Sequence, residues 1–201
     1  MTGDKNTRRL YAYLADFLEY PTVEIFHKAR IFSPHQSSLP HAAQEHLQKF
    51  FAQLKTHTLQ ELEEIYTRTF DLQMVCYPYV GYHLFGESYK RGAFLAELKA
   101  RFTKYQFSEG NELPDHLAVL LRFLSIFSDE EERMALIEDA LIPALTPMLK
   151  PFVSESDLYK FLLTAILIIL KAEIRDEHQT VFPEKDQGAI DASPLADSME
   201  T

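Results

Sequence analysis

Cysteine, tryptophan and glycine are all scarce in this 201-residue chain, which has one cysteine, no tryptophan and six glycines. The single cysteine, Cys76, excludes an internal disulfide framework and a zinc site built from cysteines alone. It also favours a reducing compartment such as the cytoplasm. So few glycines argue against a β-rich fold, and long segments dominated by Leu, Ala, Glu and Lys predict an all-α protein.

Long hydrophobic runs are also absent. The longest, Phe161–Leu170, has ten residues, whereas about 20 are needed to span a bilayer, so it predicts a buried core helix and no membrane span. Near the start, Arg8 and Arg9 look like part of a twin-arginine export signal. Asp16 and Glu19 stand where such a signal needs an uncharged apolar core, so we expect the arginines to begin a first helix.

An excess of positive charge is missing as well. The formal net charge is −10, which argues against nucleic acid as a partner. Residues 176–201 carry a net charge of −6 and residues 1–175 a net charge of −4, and large apolar residues are few beyond Pro183. We therefore predict one helical domain over residues 1–182 and a disordered acidic tail over residues 183–201.

The apolar spacing in residues 1–182 predicts a single multi-helix bundle. Thr58 and Glu61 have the spacing of a capping box at the start of one helix. A later helix, Asp129–Leu149, is predicted to be bent or split near Pro143. The last helix is expected to begin at Glu155, after a Ser154 cap. A helix over residues 89–105 is expected to bury four apolar side chains: Phe94, Leu95, Leu98 and Phe102.

The segment Tyr66–Leu117 carries the most particular pattern of the chain. It contains, in this order, a T-F-D-L run, an aromatic-rich turn, G-E-S-Y-K-R-G and E-L-P-D-H-L. With these motifs the chain resembles the NarJ group of molybdoenzyme assembly chaperones, which are relatives of the TorD/DmsD-like redox-enzyme maturation proteins. The matching segments are Tyr66, Thr69–Leu72, Tyr82–Gly86, Lys90–Gly92 with Leu98–Lys99, and Glu112–Leu117.

The resemblance implies a cytoplasmic, system-specific chaperone and not an enzyme. Such a chaperone would bind the N-terminal peptide of an apo catalytic subunit, nitrate reductase-like, as an amphipathic helix. It would hold that subunit competent for molybdenum cofactor insertion before membrane attachment or export, and proteins that deliver the cofactor are further implied partners. No cofactor of its own is expected. Ala118 stands where nitrate reductase chaperones are expected to have proline, which leaves the client open.

Two parts of the segment are candidate peptide-binding elements. Aromatic side chains crowd the irregular stretch Phe70–Phe85, and tyrosine combines a rigid apolar face with a hydroxyl, which suits a groove for an amphipathic helix. The E-L-P-D-H-L run offers acceptors and a titratable donor at a helix start, in the region that the resemblance ties to client binding. The candidate peptide-binding residues are Tyr66, Phe70, Leu72, Tyr77, Tyr82, Phe85, Arg91, Glu112, Pro114, Asp115 and His116.

Each of these features also has a purely structural interpretation. The rings of Phe70–Phe85 can fill the core. Asp115 can cap the helix that follows it, which would leave His116 partly exposed in the first turn. The segment Gly86–Gly92 can be a helix break followed by an exposed basic first turn that contains Arg91. If Arg91 instead reaches back to Asp71 or Asp115, it ties the groove together.

Two other classes of function are open from the residues alone. One is a small helical enzyme that uses Asp115 and His116 as an acid/base pair in an apolar pocket. The other is a scaffold module in a stable, stoichiometric complex with a mature partner. Metal binding has little support, because Glu24 and His27 have the spacing of one half of a di-iron site and no second pair exists. We expect no catalytic residue and no metal ligand.

Overall fold

The computed structural model of the chain describes residues 2–31, 39–71, 75–154 and 157–181, with side chains inside those ranges from residue 8 to residue 176. Every regular element in this part of the chain is a helix or helical turn, which confirms the all-α prediction. The α-helices are α1 (Thr2–Ala15), α2 (Glu24–Ile31), α3 (His41–Leu54), α4 (Leu59–Tyr66), α5 (Val80–Phe85), α6 (Tyr89–Lys104), α7 (Leu117–Ile126), α8 (Glu130–Leu136), α9 (Ile142–Leu149) and α10 (Leu158–Val181).

Helix α7 lies at the centre of the bundle. Its residues Leu117–Leu121, with Phe123 and Leu124, are all buried. A helix that is apolar on all sides has to be enclosed by other elements, and α1 packs along it. The helix α10 packs against α3 and α9, and most of its run Phe161–Leu170 is buried, as the sequence predicts. None of the helices described is long and apolar enough to cross a bilayer.

Local sequence signals fix several helix ends. The backbone N–H of Thr58 donates to Glu61 Oε2 at 2.7 Å, and the N–H of Glu61 donates to Thr58 Oγ1 at 3.3 Å, which confirms the capping box of α4. A π-helical turn, Ile137–Leu141, separates α8 from α9 just before Pro143, so this helix is split there, which is one of the two predicted outcomes. Helix α4 ends in a similar turn, Thr67–Asp71.

Two details of the helix predictions are wrong. Phe94 and Leu95 are only half-buried: Phe94 packs at the edge of the core against Phe85, and Leu95 lines an open groove. The last helix begins at Leu158, and the N–H of Ser154 instead donates to the Asp157 carboxylate at 3.3 Å. The predicted tail, residues 183–201, and its boundary after residue 182 lie outside the described residues.

A largely buried ion-pair network joins α1, α8 and α10. Arg133 is 1% exposed, and its Nη2 atom binds Glu130 and lies 2.5 Å from Glu173 Oε1. Arg8 binds the same Glu130 at 2.7 Å, and Tyr11 donates a hydrogen bond to Glu173. Arg8 therefore lies inside α1, which starts before it at Thr2, and it ties this helix to the rest of the bundle.

Candidate functional site

A single β-bridge brings the two candidate peptide-binding elements together. Tyr79 and His116 pair as isolated antiparallel bridge residues. The N–H of Val80 donates to the carbonyl of Asp115 at 2.8 Å, and the N–H of Leu117 donates to the carbonyl of Pro78 at 2.8 Å. The aromatic turn before α5 and the E-L-P-D-H-L run before α7 are therefore parts of one site, although 36 residues separate them along the chain.

An ion pair between Arg91 and Asp115 lies beneath this bridge. Arg91 Nε donates to Asp115 Oδ2 at 2.8 Å and Nη2 donates to Oδ1 at 3.3 Å, which is the two-point geometry that guanidinium and carboxylate favour. Asp115 is fully buried and Arg91 is 18% exposed at its side chain. Of the two acidic partners considered for Arg91 from the sequence, Asp71 and Asp115, the structure shows Asp115.

The approach of α5 to this pair depends on Gly81. A Cβ atom at this position would lie 2.7 Å from Asp115 Oδ2, 3.0 Å from Phe94 Cδ1 and 3.2 Å from Arg91 Cγ. A contact of 2.7 Å is closer than side chains tolerate, so only glycine lets α5 pack directly on the ion pair. Gly86 then ends α5 with a φ of 62°, a left-handed conformation that favours glycine.

The structural interpretation of the Asp115–His116 pair is wrong on both points. His116, and not Asp115, is the N-cap of α7, because its Nδ1 atom accepts the N–H of Ala118 at 3.2 Å. The Asp115 carboxylate is held by Arg91 instead of the first helical turn. His116 is also buried, at 3% exposure. Burial lowers the pKa of His116, and the neighbouring carboxylates of Glu112, Glu19 and Asp115 oppose that shift.

Tyrosine rings surround the exposed side of Arg91. Its guanidinium carbon lies 5.4 Å from the ring centroid of Tyr79 and 6.0 Å from that of Tyr82, within the range of cation–π attraction. Tyr82 stacks on Tyr77 with ring centroids 4.2 Å apart. The ring of Tyr79 also packs edge-on against His116 at 5.4 Å. Arg91 therefore fixes both the buried carboxylate and the aromatic surface above it.

An open groove runs beside Arg91, with a volume of about 450 Å³. It lies between the start of α6 and the loop that precedes α7. Tyr89 is 91% exposed and Leu113 is 45% exposed, so the groove presents apolar side chains to solvent. The residues that line it are Glu87, Ser88, Tyr89, Arg91, Gly92, Leu95 and Leu113. We call this surface the α6 groove.

The predicted site residues divide between this surface and the core. Phe70 is 5% exposed and packs edge-on against Tyr159 at 4.7 Å, so the prediction that some rings fill the core is confirmed for it. Pro114 is buried and Glu112 is exposed. Phe85 is 37% exposed and meets Phe94 edge-on at 5.6 Å. Leu72 lies outside the described residues.

Several residues of this surface are not among the predicted peptide-binding residues. Tyr89, Leu95 and Leu113 line the α6 groove. Tyr89 and Leu113 lie within the G-E-S-Y-K-R-G and E-L-P-D-H-L motifs, but neither was chosen as a peptide-binding residue. Their signal is weak: a large apolar residue at a helix start or in a polar loop is a candidate surface contact. Tyr79 is not among the predicted site residues, because its bridge partner, His116, lies in a distant part of the sequence.

Among the described residues we find no site suited to binding a metal ion and none suited to nucleophilic chemistry. No group of three or more His, Cys, Asp or Glu side chains there could hold a metal ion. Cys76 is 1% exposed, and burial raises the pKa of its thiol to about 12. A buried thiol with so high a pKa is suited to packing and not to nucleophilic attack.

A family model described as "Nitrate reductase delta subunit" matches residues 36–156, which is more than half of the chain. The matched region contains the Tyr79–His116 bridge, the Arg91–Asp115 pair and the whole α6 groove. No individual curated protein matches the sequence.

Proposed function

This chain belongs to the nitrate reductase delta subunit family, and from that premise we propose that it binds the N-terminal peptide of an immature molybdoenzyme catalytic subunit. Family membership implies a molybdoenzyme maturation chaperone and not a catalytic enzyme. The bound peptide, its groove and the timing of release form our proposal. The chaperone would act in the cytoplasm, where the cofactor is inserted, before the client is attached to a membrane or exported.

The α6 groove is the observation that carries this proposal. An amphipathic helix binds by placing its apolar face in a hydrophobic groove, with anchors one turn apart. Tyr89, Leu113 and Leu95 offer such apolar contacts, and Glu87 and Arg91 offer polar contacts along the same groove. In the unbound protein Tyr89 is almost fully exposed, so the free energy that burial of its ring would provide is not gained. A bound peptide would supply that burial.

The groove stands on a rigid base. The Arg91–Asp115 pair and the Tyr79–His116 bridge hold the start of α6, α5 and the start of α7 in fixed positions. A pre-organised surface loses little conformational entropy on binding, so more of the contact free energy appears as affinity. A chaperone that releases its client has to bind the open apo client more tightly than the closed, cofactor-loaded client. Its affinity for the apo client must be moderate, so that release remains possible.

The enzyme alternative fits the geometry less well, and the scaffold alternative differs from the proposal in the form of its client. An Asp115–His116 acid/base pair needs side chains that can exchange protons with a substrate, but the Asp115 carboxylate is fully buried and bound by Arg91, and His116 Nδ1 accepts from Ala118. A scaffold would bind a mature, cofactor-loaded partner as tightly as an apo one. The proposal and the scaffold therefore differ in which form of the client is bound.

Peptide binding by groove variants tests the proposal. The probe is a synthetic peptide of the N-terminal segment of the host's nitrate reductase-type catalytic subunit, titrated by calorimetry. We expect Leu113→Glu and Tyr89→Ala to weaken binding by about tenfold or more, since central apolar anchors dominate such interfaces. The matched control is Val153→Glu, at a residue that is 95% exposed and does not line the groove.

The control variant is expected to bind as the wild type does. Equal affinity of all four proteins would show that the peptide binds elsewhere. No binding by the wild type would contradict the proposed function itself.

A further inference from the structure

The helix that borders the α6 groove is the most basic helix of the chain. It carries five basic residues and one acidic residue. Arg91, Arg101 and Lys104 form ion pairs. Lys90 and Lys99 are exposed, and neither forms an ion pair with any described residue. Two cations of α6 are therefore available to a ligand.

These two lysines flank the apolar side chains of the groove. Lys99 follows Leu95 by four residues, so it lies one turn further along the same side of the helix. Lys90 directly follows Tyr89, which lines the groove. The one acidic residue that lines it, Glu87, precedes the helix. A ligand with apolar anchors and a net negative charge would match this arrangement.

The last twenty residues of the chain have that composition. Residues 182–201, which we call the C-terminal segment, lie outside the described residues and read FPEKDQGAIDASPLADSMET. They contain five acidic residues and one lysine. The apolar residues Ile190, Leu195 and Met199 each have an acidic residue one or two positions later. The segment therefore combines apolar anchors with negative charge, as the groove combines apolar contacts with positive charge.

The C-terminal segment is long enough to reach the groove. Helix α10, which ends at Val181, binds α8 through Glu173, and α8 binds the end of α6 through Lys104. From Glu173 to the end of α10 is about 12 Å, and the length of α6 is about 24 Å. The extended chain from Phe182 to Leu195 spans up to about 45 Å, which exceeds the sum of these two distances.

We propose that the C-terminal segment docks in the α6 groove of its own chain when no client is bound. Ile190 and Leu195 are its apolar anchors, and its acidic residues lie beside Lys90 and Lys99. The docked segment excludes the client peptide, so client binding requires its displacement. This inference rests on the proposed function, because the segment occupies the groove that we propose binds the client.

Charge and tethering favour this occupant over others. Residues 1–175 carry a net charge of −4, so most of the protein surface repels an acidic segment and α6 attracts it. A segment of the same chain meets the groove at an effective concentration on the order of millimolar. Even a weak contact is then populated, and it reduces the apparent affinity for the client by the fraction of grooves that are open.

A tryptophan reporter tests the docking without any client. The chain has no tryptophan, so Tyr89→Trp in the full chain places a single tryptophan in the groove, at a residue that is 91% exposed in the open form. Acrylamide quenching measures its exposure. We expect the combined substitutions Ile190→Ser and Leu195→Ser to raise the quenching constant about threefold, and Lys99→Glu to raise it about twofold.

Matched controls keep the result specific. Ala189→Ser with Ala192→Ser changes the same segment without removing an anchor, and Lys55→Glu reverses the charge of an exposed lysine outside the groove. Both are expected to leave the quenching constant unchanged. A tryptophan that is equally exposed with and without the anchors would overturn the inference. Protection that increases with protein concentration would also overturn it, because the segment of a second copy would then be the occupant.

Client binding gives the second readout, in chains that keep Tyr89. The probe is the N-terminal peptide of the host's nitrate reductase-type catalytic subunit, titrated by calorimetry. We expect Ile190→Ser with Leu195→Ser to bind it about threefold more tightly than the wild type does, and equal affinities would overturn the regulatory role. If no version of the protein binds the peptide, the proposed function fails, whereas the tryptophan result still decides whether the segment docks.

Discussion

Arg91 and Asp115 form a two-point ion pair, with Nε 2.8 Å from Oδ2 and Nη2 3.3 Å from Oδ1. The carboxylate is fully buried, whereas the guanidinium reaches the surface beneath two tyrosine rings. The pair therefore connects the interior of the bundle to the surface that we propose binds the client. Its energetics and its position lead to separate predictions.

Arg91→Ala is expected to destabilise the fold by about 3 kcal/mol or more, because it leaves a buried carboxylate without its partner. Asp115→Asn keeps the shape and removes the charge, so we expect a smaller loss of about 1–2 kcal/mol. The control is Arg101→Ala on the same helix, whose partner Glu97 is 60% exposed at its side chain; there we expect a loss below about 1 kcal/mol. Urea unfolding at pH 7 measures all three, and equal losses for Arg91→Ala and Arg101→Ala would contradict the structural role of the pair.

Two glycines allow a matched test of close packing. Gly81→Ala places a Cβ atom 2.7 Å from Asp115 Oδ2, so we expect it to destabilise the protein by about 1–3 kcal/mol. Gly92→Ala lies in the exposed part of α6 with no atom within 4 Å, and alanine there is expected to stabilise the helix by about 0.5–1 kcal/mol. Thermal unfolding distinguishes the two. A stabilising Gly81→Ala would show that α5 does not pack on the ion pair.

His116 predicts a pH dependence of stability. Burial lowers the pKa of His116 in the folded chain, while the unfolded chain keeps a value of about 6.5. The unfolded state therefore binds the proton more readily, so the contribution of His116 is fully present above about pH 6.5 and is lost as the pH falls through the folded-state pKa. Burial lowers the pKa of His83 as well, and its contribution has the same sign.

Two variants of His116 separate the proton from the helix cap. His116→Asn keeps a side-chain acceptor for α7 but does not titrate, so we expect a shallower loss of stability below pH 6.5 and near-wild-type capping. His116→Ala also removes the acceptor and is expected to cost about 1 kcal/mol more than His116→Asn at pH 7.5. The measurement is urea unfolding between pH 5 and pH 7.5, and an unchanged slope in His116→Asn would contradict a buried neutral histidine.

Cys76 gives a direct readout of burial. Because its pKa is raised to about 12 and its side chain is 1% exposed, we expect a thiol reagent at pH 8 to modify the native protein at least about 100-fold more slowly than the urea-unfolded protein. Cys76 is the only cysteine of the chain, so no other thiol contributes to the signal. Rapid modification of the native protein would place this residue at the surface.

Local patterns were sufficient to predict the fold class and many helix ends. The capping box at Thr58 and Glu61 and the split of the helix near Pro143 depend only on neighbouring residues, and the structure confirms both. The helix start at Pro114 and Asp115 followed the same kind of pattern but was misassigned. There a long-range partner, Arg91, offers Asp115 a charged hydrogen bond that outweighs the cap, and His116 takes over the cap.

The surfaces around the site were harder to predict because they are assembled from distant segments. The rings of Tyr20 and Tyr66 meet edge-on at 5.5 Å although the two residues are far apart along the chain, and local sequence patterns do not predict such a contact. The choice between Asp71 and Asp115 as the partner of Arg91 was open for the same reason. Phe70 shows the opposite case: its ring looked like part of a binding surface in a dense aromatic segment, yet it packs on Tyr159.

The central claim is that the chain binds an immature molybdoenzyme catalytic subunit, and affinity purification from the native host grown anaerobically tests it most directly. Bound proteins are identified by mass spectrometry, their molybdenum content is measured, and Leu113→Glu and Val153→Glu proteins are purified in parallel. We predict that the wild type and Val153→Glu retain a molybdenum-poor catalytic subunit and that Leu113→Glu loses it. Recovery of only molybdenum-loaded enzyme, in equal amounts with all three proteins, would contradict the account.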